Sequence, residues 1–81
     1  MRIEICVPDL GFPTPEPIRL SLWYAEEGDL LAEGDRLAEL VVPGATVDVD
    51  APVDGVLVQR LAAPEQSLCV GQKIAIMQTF D

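Results

Sequence analysis

The chain has 81 residues, room for a single domain spanning residues 1–81. Apolar residues make up 49% and charged residues 23%, a balance too apolar for disorder. Five Lys plus Arg stand against fourteen Asp plus Glu, net −9, so neither nucleic acid nor an anionic membrane surface is expected as a partner.

Period-two alternation recurs along the chain, bounded by Gly, Pro and Asp, and no segment keeps a helical period. Ile3, Ile5 and Val7 alternate with Arg2, Glu4 and Cys6, and Pro8-Asp9 ends that strand. Three prolines between Gly11 and Pro17 predict a loop, because proline cannot donate to a ladder. Ile18, Leu20 and Leu22 alternate next and run into Trp23-Tyr24. Gly28-Asp29 and Gly34-Asp35 are turn signals around the short piece Leu30-Leu31. Leu37 to Val42, then Ala45 to Val49, then Val56 to Leu61 and Ile74 to Met77 complete the set. The expectation is an all-β chain of seven or eight short strands.

The chain also repeats itself. Gly34 to Leu40 lies 37 positions before Gly71 to Met77, and the same offset pairs Leu31 with Leu68. Each half is too small to bury its own apolar face. Two interlocked sheets with approximate two-fold symmetry are therefore expected, a β-sandwich.

Other counts narrow the chemistry. There is no histidine, which removes the commonest general base and metal ligand. Glu26-Glu27 alone offers no partnered acid–base pair, so no catalytic residue is assigned. Asp48, Asp50 and Asp54 miss the calcium-loop spacing and read as a solvated face, so no metal site is assigned. Cys6 and Cys69 fit no zinc spacing and are expected as free thiols with the character of small apolar side chains. Charged residues near the start argue against a signal peptide. No apolar run approaches the roughly 20 residues of a membrane helix, so a cytoplasmic protein is expected. There is one lysine, Lys73.

Val7-Pro8-Asp9-Leu10-Gly11, Trp23, Glu27-Gly28-Asp29 and Glu33-Gly34-Asp35 with Leu37 and Glu39 resemble the lipoyl domain of 2-oxo acid dehydrogenase acyltransferases. The resemblance continues through Ala45 to Val49, Ala51 to Val56, and Gly71 with Ile74-Ala75. It implies a barrel-sandwich hybrid, a flattened β-barrel of two four-stranded antiparallel sheets with pseudo-two-fold symmetry. It further implies Trp23 packed beside the core, and a prosthetic group on the hairpin between the fourth and fifth strands. In the family that hairpin reads Glu-Thr-Asp-Lys-Ala, and its lysine forms the amide with lipoate.

Here the corresponding run is Val41-Val42-Pro43-Gly44-Ala45, so the attachment position falls on Gly44, which has no amine. Pro43 presets φ near −65° and Gly44 supplies φ > 0, so Val42 to Ala45 is expected as a type II turn. Leu40, Val41 and Val42 place three consecutive apolar residues beside the tip, and Leu40 to Ala45 is the expected interface. The resemblance thus implies a carrier's frame with no cofactor, acting as a protein-interaction module toward 2-oxo acid dehydrogenase components. Two alternatives stand beside it: a swinging-arm carrier of lipoate or biotin modified at Lys73, and a structural subunit that self-associates through the hairpin.

Overall fold

The computed structural model describes residues 1–11 and 18–80. The expected loop from Gly11 to Pro17 therefore lies, beyond Gly11, outside the described residues. Eight strands follow in order: β1 Arg2–Cys6, β2 Ile18–Trp23, β3 Leu30–Leu31, β4 Arg36–Val42, β5 Ala45–Asp50, β6 Gly55–Arg60, β7 Ser67–Leu68 and β8 Lys73–Thr79. They form two antiparallel four-stranded sheets, β1-β8-β6-β3 and β5-β4-β2-β7, with no helix among the described residues. This is the barrel-sandwich architecture implied by the resemblance.

Alternation along each strand sends one set of side chains between the sheets. Leu20, Leu37, Leu40, Leu57, Leu68, Ile74 and Met77 are fully buried there, with Ile5, Val7, Ile18 and Val49 around them. No polar or charged side chain is buried among the described residues. A one-residue slip in any central strand would expose this set, so the apolar alternation fixes the register.

The 37-residue repeat is realised in the backbone, well beyond the few residues that reveal it in the sequence. β2, β3 and β4 begin and end 37 positions before β6, β7 and β8. The turn at Ala32 to Asp35 is closed by Asp35 N–H donating to the Ala32 carbonyl, and the Asp35 carboxylate accepts from Ala32 N–H. Cys69 and Gln72 make the same two bonds with an amide oxygen in place of the carboxylate. The turns at Glu26 to Asp29 and Ala63 to Gln66 are a second such pair. Even the register breaks correspond, at Leu20/Leu22 in the β2–β4 ladder and Leu57/Gln59 in the β6–β8 ladder.

Gly55 is one place where the symmetry is set aside for packing. It opens β6 and is buried against β8, where an added Cβ would run into the backbone carbonyl of Gln78. Its repeat mate is Ile18, a buried core side chain. Only glycine allows this close approach of two backbones.

Candidate functional site

The β4–β5 hairpin pairs without interruption from Ala38↔Val49 to Val42↔Ala45, past a register break between Arg36 and Ala38, leaving Pro43 and Gly44 as a two-residue tip. Gly44 has φ +79°, and no other residue of that turn has positive φ. Positive φ at the third turn position alone distinguishes type II from the mirror-image hairpin turns, as Pro43-Gly44 leads one to expect. Pro43, Gly44 and Ala45 are exposed, and nothing lies within 4 Å of where a Gly44 side chain would begin.

The expected apolar cluster is corrected here. From Ala38 alternation continues to the end of β4, so Leu40 and Val42 are buried in the core. Val41 alone points outward, 37% exposed, across from Arg19 and Thr46. An interface at this hairpin would be made by Val41 and the tip, not by three apolar neighbours.

Lys73 opens β8, opposite Cys6 of β1, and its ammonium donates to the Glu4 carboxylate. That hydrogen bond, and then the charge of Glu4, hold the ammonium above the ordinary lysine range. Its repeat mate is Arg36, which opens β4 and faces Asp48 at 3.7 Å. Lys73 therefore sits on a paired strand rather than on a presenting turn. Cys6 and Cys69 are both free, as expected, but both are exposed and so do not fill the core.

The acidic residues are dispersed. Asp48, Asp50 and Asp54 are exposed, Asp48 faces Arg36, and Asp54 accepts from the Glu33 N–H. Among the described residues no group of three His, Cys, Asp or Glu is placed to hold a metal ion. Glu26 and Glu27 lie at a turn, and the Glu27 carboxylate accepts from the Arg60 N–H at 2.9 Å.

Trp23 is half-buried against the core, as the resemblance implies, and its indole N–H donates to the Ala62 carbonyl. The Arg60 guanidinium lies over the ring, 5.6 Å from its centroid. Together these residues line an open groove of about 470 Å³, with Leu22, Glu27, Ala63 and Pro64 completing its walls. No local sequence pattern marks this groove. The signal available was the repeat offset, which pairs Trp23 with Arg60 and Glu27 with Pro64.

With the geometry in place, the comparisons with known proteins decide the family. The family model described as "Biotin-requiring enzyme", the biotin/lipoyl family, matches residues 3–77. The chain belongs to that biotin/lipoyl family. It is 37% identical over 78 residues to the pyruvate dehydrogenase E1 component subunit beta of Rhizobium meliloti, covering 95% of this chain and 17% of that protein. It is 35% identical over 79 residues to the dihydrolipoyllysine-residue acetyltransferase component of the pyruvate dehydrogenase complex of Zymomonas mobilis, covering 95% and 18%. The chain thus spans less than a fifth of the length of these curated relatives. The solved lipoyl domain of the 2-oxoglutarate dehydrogenase complex from Azotobacter vinelandii superposes with a TM-score of 0.74 at 15% identity, over 91% of this chain and 95% of that one. That likeness shows the fold.

As a lipoyl-type domain related to 2-oxo acid dehydrogenase complexes, the chain invites the question whether its residues fit the family's prosthetic group. Amide attachment needs a side-chain amine at the tip of the β4–β5 hairpin. Pro43 and Gly44 offer none, and Gly44 occupies a backbone conformation that a lysine adopts only with strain. The hairpin does not fit a lipoyl or biotinyl group.

Proposed function

We propose that this lipoyl-type domain is not lipoylated or biotinylated and serves as a non-catalytic protein-interaction module toward components of 2-oxo acid dehydrogenase complexes. The observation that carries the reading is the hairpin tip: a well-formed type II turn at Val42 to Ala45 with no amine. The turn is intact, so the presenting element is retained while the group it would present has no point of attachment. The relatives are components of such complexes, which supports the choice of partner class.

Lys73 does not restore the carrier. Its amine lies on the paired strand β8, held protonated by Glu4 of β1 and away from any two-residue tip. The measurement is intact mass after co-expression with a lipoate ligase and, separately, a biotin ligase. The expected outcome is the unmodified mass in both. A lipoyl or biotinyl adduct mapped to Lys73 overturns the reading in favour of a carrier.

A further inference from the structure

The groove beside Trp23 lies where the two halves of the repeat meet, and two pairs of its lining residues, Trp23 with Arg60 and Glu27 with Pro64, are repeat mates. A shift of 37 positions carries Trp23 onto Arg60, Glu27 onto Pro64 and Glu26 onto Ala63, while Leu22 maps onto Gln59. The backbone obeys this relation closely. Gly28 N–H donates to the Leu57 carbonyl as Glu65 N–H donates to that of Leu20, and Tyr24 N–H donates to the Leu37 carbonyl as Leu61 N–H donates to that of Ile74. Side chains break it: Leu22, Trp23, Ala62, Ala63 and Pro64 give the groove an apolar lining, and Glu27 and Arg60 add one charge of each sign.

The apolar wall is open to solvent, with Leu22 39% exposed, and an open groove leaves such surface available to a partner. Charge decides what kind of partner. The cation in the groove, Arg60, is drawn over the Trp23 ring, and its own backbone N–H holds the Glu27 carboxylate at the groove edge. Glu26 and Glu65 adjoin Glu27 and Pro64 in the chain, and the whole molecule carries net −9. The net charge of −9 disfavours an anionic occupant. A basic one is steered in and finds a fixed carboxylate beside an aromatic and aliphatic wall.

We infer that the Trp23 groove is a docking site for a basic, apolar segment of a partner protein, laying aliphatic side chains on Leu22, Trp23 and Pro64 and a lysine or arginine against Glu27. This deepens the interaction reading above and rests on it, yet names a face separate from the hairpin.

Trp23 is the chain's one tryptophan, so its fluorescence reports on the groove directly. The probes are a short blocked Leu/Lys peptide and the same peptide with Glu in place of Lys. The Leu/Lys peptide is expected to shift Trp23 emission, with affinity falling as salt is added. Leu22→Ser and Glu27→Gln, both at exposed positions, are each expected to weaken it by about fivefold or more, the scale of an interface anchor. Val41→Ser at the hairpin is expected to leave it unchanged. No shift with the Leu/Lys peptide, or an equal response to the Leu/Glu peptide, overturns the inference. So does equal weakening by Asp48→Asn, which would signal diffuse attraction to an acidic surface. Binding of the intact chain to purified dehydrogenase components is measured alongside. Binding that survives both groove substitutions removes the groove and leaves the interaction reading standing, and absence of any binding removes that reading.

Discussion

Glu65 sits at φ +72°, and its repeat mate Gly28 sits at +97° in a turn with the same two closing hydrogen bonds. A residue with a Cβ pays about 1–2 kcal/mol for that conformation, and glycine returns about half of the gain through its larger unfolded-state entropy. Glu65→Gly is therefore expected to stabilise the domain by about 0.5–1 kcal/mol, read as a higher urea midpoint with an unchanged slope. Lys73 gives the second prediction at this scale. Its pKa is raised in the fold by the Glu4 hydrogen bond and charge. The pair's contribution is therefore present throughout neutral pH and fades on the alkaline side as pH rises through the folded value, beyond the ordinary lysine range. Titration of the Lys73 side chain by NMR is expected to show that elevation, and Glu4→Gln is expected to bring the value back toward an ordinary lysine.

At the level of the element, the β4–β5 hairpin separates its form from its chemistry. Gly44→Lys places an amine in open space, but at φ +79° the lysine strains the turn by about 1–2 kcal/mol. The turn is expected to relax toward type I, which a Pro at the second position permits. Pro43→Asp with Gly44→Lys rebuilds the family's Asp-Lys tip. On co-expression with a lipoate ligase, the double variant is expected to gain lipoyl mass at least as fully as Gly44→Lys alone, measured on the intact protein. Failure of both to react would mean the frame itself is not recognised. The same element shows what a sequence conveys. Pro43-Gly44 announces its turn because turn geometry is local. Leu40-Val41-Val42 reads as a surface cluster only if the strand is taken to end early, whereas one more pair of ladder partners puts Leu40 and Val42 inside.

Across the molecule, the fold was legible because alternation, turn residues and the spacing of Gly34 and Gly71 all pointed to two interlocked halves. The groove was not, because its residues come from β2, the turn after it, the end of β6 and the turn beyond, and no local pattern unites them. The apolar character of Cys6 and Cys69 suggests burial, but an edge strand and a turn leave both thiols in solvent. Trp23 was legible as a core-packing residue, but its second role as a groove wall depends on Arg60, 37 positions away.

That spacing makes the domain its own reference compound. Gly28 and Glu65, Asp35 and Gln72, or Arg36 and Lys73 occupy near-duplicate backbone settings within one chain. Exchanging the members of such a pair holds composition and net charge constant. Any change in melting then reports the difference between two environments, free of the unfolded-state differences that complicate ordinary substitutions.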